Sequence, residues 1–107
     1  MSNQKNFAAE FNHLPDTGHL KKITLSNIDS KQNHSVDNIP GKQASVKILY
    51  SIALDNNFKI SATQAEAGII LFGDYTAEEK QQPNAHPNIR LLLDIIEHNQ
   101  TWEVEVV

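Results

Sequence analysis

The sequence predicts an α+β fold: a three-stranded antiparallel sheet with helices packed on one face, in the order α-β-β-α-α-α-β. Three observations carry this expectation. Apolar and polar residues alternate both around Ile23 and at the C-terminus, which is the period of a half-buried strand. Between those stretches apolar residues recur every three or four positions, the period of helices with one face in a core. At 107 residues the chain has the size of one domain, spanning 1–107, and cannot cover two separate cores.

Each element follows from its local pattern. Phe7, Ala8, Phe11 and Leu14 make a short helical stripe, stopped by Pro15 and the turn-forming Asp16-Thr17-Gly18. Over 20–28, Ile23 and Leu25 fall on one side and Thr24 and Ser26 on the other, as in a strand. Asp29 to Asn33 reads as a turn. His34 and Val36 then share a side, giving a hairpin whose short second arm ends before Pro40-Gly41. From Ala44 the period changes. Val46, Leu49, Tyr50 and Ala53 form a helical stripe widened by Ile48 and Ile52, and Asn56-Asn57 ends it because asparagine tolerates left-handed backbone.

Thr63-Gln64-Ala65-Glu66 matches a capping box and starts a second helix running through Ile69-Ile70-Leu71-Phe72. Gly68 and Gly73 each disfavour helix by about 1 kcal/mol relative to Ala, which implies close helix packing or a break at Gly73. Thr76-Ala77-Glu78-Glu79 offers another cap signature and a short helical turn up to Gln82. Pro83 to Asn88 is an extended loop, since residues preceding proline are pushed out of helical geometry, and Pro87 suits a first helical position. Ile89, Leu92, Leu93 and Ile96 mark the next helix, with Asn99 as its C-cap. Trp102, Val104 and Val106 then alternate with Glu103 and Glu105, and this last strand must pair with the 20–39 hairpin.

Composition narrows the function classes. With no cysteine there are no disulfides, thiolate zinc sites, iron–sulfur ligands or thiol nucleophiles. A net charge of −4 with a single arginine lacks the basic stripe that nucleic acid requires, so no nucleic-acid partner is expected. The longest apolar run, Ile69 to Phe72, is far below the roughly 20 residues of a membrane helix, and no membrane association is expected. Met1 to Asn6 has one lysine and no apolar stretch after it, unlike a secretory leader, which points to the cytoplasm. Charge is uneven: seven lysines face five acids before residue 61, and two basic residues face eight acids after it. Halves on different faces would suit a charged partner or head-to-tail association; the alternative is a solvated surface unevenly sampled.

Among motifs, Pro40-Gly41-Lys42-Gln43-Ala44-Ser45 stands between a strand and the central helix. Helix-start amides carry partial positive charge and Lys42 adds a full one, so residues 41–46 can accept a small anion. The alternative is a plain strand-to-helix turn capped by Ser45 or a neighbour. A nucleotide phosphate loop is excluded, because its earlier glycine is missing and Gln43 takes the hydroxyl position. His13, His19, His34, His86 and His98 lack metal-ligand spacing, apart from His98 four residues after Asp94, so neither metal nor cofactor is expected. No G-x-S-x-G elbow is present. Asp74, Glu78 and Glu79 near Tyr75 and Thr76 can gather around His86 as an acid–base cluster. Glu78 and Glu79 point to different sides of a helix, however, and a solvated helix start is favoured.

Pro40 to Ser45, His86-Pro87-Asn88-Ile89 and the Ala65 to Phe72 helix resemble a family of short bacterial proteins known as a domain of unknown function. The resemblance implies a free-standing cytoplasmic bacterial protein and transfers no activity. From the residues themselves, the expected role is a binding or protein-interaction module without catalysis. Its surface would group the Gly41-Lys42 turn and Ser45 with the His86-Pro87-Asn88 loop. Lys42 and Lys47 would neutralise an anion or acidic partner, and His86 and Asn88 would donate or accept hydrogen bonds. Two alternatives remain: a homodimer paired through Trp102 to Val107 at a sheet edge, and a small metal-independent enzyme using His86.

Overall fold

The computed structural model describes residues 6–107; Met1 to Lys5, part of the leader reading above, lie outside them. Strands β1 (Lys22–Asn27) and β2 (Asn33–Asp37) form the expected hairpin, with Ile23 opposite Val36 and Leu25 opposite His34. Strand β4 (Trp102–Val106) lies antiparallel on the other side of β1, Val104 opposite Leu25 and Val106 opposite Ile23. The pleat puts Ile23, Leu25, Val36, Trp102 and Val104 into the core, while Ser35, Glu103 and Glu105 are exposed on the other face.

The sheet has four strands, not three. β3 (Lys59–Ile60) pairs with β4, completing the order β2-β1-β4-β3. Two residues are too short to show a period, and the chain reaches β3 through consecutive left-handed residues, Asn57 (φ 58°) and Phe58 (φ 62°). The addition also corrects the expected edge. β4 lies inside the sheet, where β3 engages it at Trp102 and Glu103 and the Val104 N–H donates to the Phe58 carbonyl at 2.8 Å. β3 covers this flank of β4 over Trp102 to Val104, and the outermost strands of the sheet are β2 and β3.

Among the described residues there are four α-helices, α1 (Gln43–Leu54), α2 (Ala62–Leu71), α3 (Asp74–Gln81) and α4 (Pro87–His98); α1 and α2 pack against the strands, α4 against α2, and α3 against α4. α2 starts earlier than expected. Its cap is Ser61, and Gln64 Oε1 accepts from the Ser61 backbone N–H at 3.1 Å, because Ser61 to Gln64 is an equivalent box placed directly after the buried Ile60. The small Gly68 lets α2 close on its neighbours: a Cβ there would lie 2.7 Å from Leu92 Cδ1 and 3.1 Å from Ile52 Cδ1. α3 starts at Gly73, not Thr76, whose hydroxyl instead donates to the Ile69 carbonyl at 2.7 Å.

The helix expected over 7–14 is only a 3-10 turn at Ala9–His13. The backbone before it is engaged elsewhere, with the Ala8 N–H donating to the Leu71 carbonyl (3.1 Å) and the Asp74 N–H to the Asn6 carbonyl (3.0 Å). This strap crosses the α2–α3 corner where Gly73 (φ 59°) has no room for a side chain, as a Cβ would sit 2.4 Å from Asn6 O. Phe7, Phe11 and Leu14 still pack on the core. Among the described residues no helix is long and apolar enough to cross a membrane.

Candidate functional site

Two helices begin at the same place on the surface. α1 follows the Pro40-Gly41 turn with Lys42 as its N-cap residue, and Lys42 provides no capping side-chain bond. Ser45 is the third residue inside the helix, so the expected capping role does not fall to it. α4 begins at Pro87 after the N-cap residue His86, which likewise makes no capping bond. Proline has no N–H to lose there, and its ring holds the helical φ. In each helix the first-turn amides have no acceptor within the helix, and their dipoles put partial positive charge at both ends.

The loop leading into α4 is fixed from inside by Glu79. Its side chain is completely buried, which corrects the expected solvated helix start. One carboxylate oxygen accepts from the His86 N–H (2.6 Å). The other accepts from the Asn84 N–H (2.7 Å) and from Arg90 Nε (2.7 Å). Arg90 also donates to the Glu79 carbonyl at 3.2 Å. Burial pushes the Glu79 carboxyl up, but the two amides and the guanidinium outweigh it and hold the group below its ordinary value. A buried charge with this set of donors holds the whole turn from Asn84 to His86.

The His86 ring is fixed too. Its Nε2 lies 2.5 Å from Glu78 Oε1, and since a carboxylate only accepts, the imidazole donates. Tyr75 meets the ring edge-on at 5.5 Å between centroids. Across the gap, His34 Nε2 donates to Asn88 Oδ1 at 2.6 Å, tying β2 to the first turn of α4.

Between these parts lies a half-open cleft of about 450 Å³. It brings together Gly41, Lys42 and Ser45 from the α1 start with His86 and Asn88 from the α4 start. Lys47 does not join them; its ammonium sits 5.7 Å from the Phe11 ring centroid, away from the cleft lining. Three aromatic residues not grouped with the Gly41-Lys42 turn from sequence complete the walls: Phe7 of the strap, Phe72 at the end of α2 and Tyr75 of α3. Among the described residues no Asp or Glu lines this cleft, although acids outnumber basic residues 13 to 9 in the chain. Nor do three His, Asp or Glu side chains gather anywhere among them to hold a metal ion.

From sequence, Glu78 and Glu79 were considered around His86 but a solvated helix start was favoured, whereas both carboxylates bond to His86; His34 was not placed in the site. A signal for Glu79 was present: the only arginine of the chain stands within the apolar run Ile89 to Ile96, where a guanidinium needs a carboxylate partner.

The chain belongs to a bacterial family described as an uncharacterized protein conserved in bacteria (DUF2322), whose model matches residues 7–106. No curated protein and no solved structure matches it.

Proposed function

We propose that this family member is a binding module whose cleft takes a small organic anion between the starts of α1 and α4. The absence of any carboxylate from the cleft walls carries the reading, because an acidic chain has placed Lys42 and two helix N-termini around one cavity and kept its own negative groups off the lining. A cleft of about 450 Å³ also suits a small molecule. Lys42 supplies the full charge, first-turn amides supply directed donors, and His86 and Asn88, each locked by a neighbour, supply fixed geometry.

Titration of isotope-labelled protein with phosphate, acetate and nucleotides tests the reading. The expected result is saturable movement of the amides of residues 42–45 and 88–89, weakened by added salt and by Lys42→Ala. If none of these anions moves those amides, the reading is wrong.

One contact favours a second reading. A carboxylate that fixes the imidazole through Nε2 leaves Nδ1 as the basic nitrogen, the arrangement a general base needs. Esters of a bound acid separate the two readings. Binding without product release supports the module; steady release that vanishes in His86→Gln supports catalysis.

A further inference from the structure

We infer that the anion this cleft takes is an arylalkanoic acid: one carboxylate joined by a short chain to an aromatic ring. The inference rests on the anion-binding reading above and names its ligand class.

The first consideration is size. A free carboxylate or phosphate occupies a small part of about 450 Å³, so the rest of the cleft either holds water or holds the body of the ligand. The second is what that remainder is made of. Phe7 and Tyr75 lie 4.9 Å apart between ring centroids with a 35° tilt, Phe7 and Phe72 lie 6.4 Å apart, and His86 stands edge-on to Tyr75. Phe7 and Tyr75 are only half-buried and both line the cleft, the Phe7 ring being also stacked on Phe11 at 4.5 Å. An added ring extends such a cluster with the tilted and edge-to-face contacts that aromatic quadrupoles favour; a saturated ring of similar volume gains only the apolar contact.

The third consideration is charge. Among the described residues Lys42 is the one lysine or arginine lining the cleft, and Glu78 and Glu79 are bonded to His86 without lining the cleft themselves. One full positive charge balances a monoanion. A phosphate dianion would bring a second charge into a site whose walls, among the described residues, hold no second lysine or arginine and whose His86 is bonded to two carboxylates.

Affinities of the 107-residue chain for acetate, cyclohexylacetate, phenylacetate, 3-phenylpropionate and phenyl phosphate, followed by amide and aromatic-ring resonances, test this directly. We expect the better of the two aryl acids to bind roughly tenfold or more tightly than acetate, and more tightly than the cyclohexyl acid and phenyl phosphate. The Phe7 and Tyr75 ring signals should move. Tyr75→Leu and, separately, Phe7→Leu keep the wall apolar and should erase most of the aryl preference, read within each variant as the ratio of aryl-acid to acetate affinity. Equal binding of acetate and the aryl acids, or of the cyclohexyl and phenyl acids, overturns the ligand class but leaves the anion site standing. Tighter binding of phenyl phosphate overturns the charge argument. No movement of residues 42–45 with any of the five overturns both.

Discussion

At its C-terminal end α4 closes on its own backbone; at its N-terminal end it is held by another helix. Asn99 takes the left-handed conformation (φ 51°, ψ 49°), and the amides of Asn99 and Gln100 return to the carbonyls of Ile96 and Ile95. The nearest ion pair there, His98 to Glu97 at 3.9 Å, has side chains 60% and 71% exposed. At the other end His86 has no capping bond, and the turn before it hangs on the buried carboxylate of Glu79. A terminus that satisfies itself is complete as structure. One that is held from behind, with its first amides left unengaged by the helix, is the end on which the proposed anion site depends.

Removing the carboxylate is the strongest way to break this contrast. Glu79→Ala leaves Arg90 and the amides of Asn84 and His86 without their shared acceptor, and loss of one partner of a buried pair costs about 3–5 kcal/mol, the lower end applying here because Arg90 is 29% exposed and water can reach it. Denaturant unfolding should show a loss at or near that range, and amide exchange in 82–88 should accelerate most. A loss below about 1 kcal/mol would mean that the turn is held by its prolines and not by Glu79.

The packing behind the site gives the next effect. Gly68→Ala drives a methyl against Leu92 and Ile52, at ideal distances of 2.7 and 3.1 Å, and overpacking of this kind costs about 1–3 kcal/mol. Because Leu92 lies in α4, the resonances of its first turn should shift as well. Their indifference would uncouple the cleft from the core.

How far the sequence revealed this organisation depends on the range of the interactions. β1, β4, α1 and α4 each repeat their period several times, so their existence, the Asn99 cap and the docking of the terminal strand on the hairpin are legible from position alone. β3 offers two residues and no period. The strap at 6–14 has helical spacing, yet its amides find acceptors and its carbonyls find donors at Leu71 and Asp74, which no local pattern can reveal. The Gly41-Lys42 turn and the His86 loop are both legible as Pro-restrained helix starts. Glu79 was misread because its neighbour Glu78 and the following Lys80 make the segment look solvated, while its real partner stands eleven residues away on another helix.

Acid sharpens the comparison further, with a smaller effect than deletion because protonation leaves every atom in place. The Glu79 carboxyl sits below its ordinary value of 4.5 in the folded chain, so between the lowered value and 4.5 the unfolded state binds more protons. Its contribution is complete above about 4.5 and is lost as pH falls through the lowered value. Stability measured from pH 7 downward should therefore stay level and then decline below that point, more steeply than in Glu79→Gln. Parallel profiles for the two proteins would assign the decline to other carboxylates.

The smallest effect belongs to the opposite end of the helix, where the contrast predicts almost nothing. His98→Ala removes an imidazole that is more than half exposed and 3.9 Å from its acidic neighbour, and surface pairs of this kind are worth about 0–1 kcal/mol. Thermal melts should differ from the unmodified chain by no more than about 0.5 kcal/mol, and ligand titrations at residues 42–45 should be unchanged. A larger loss, or any change in anion affinity, would mean that the two ends of α4 communicate through the helix and that the self-closed end is also part of the site.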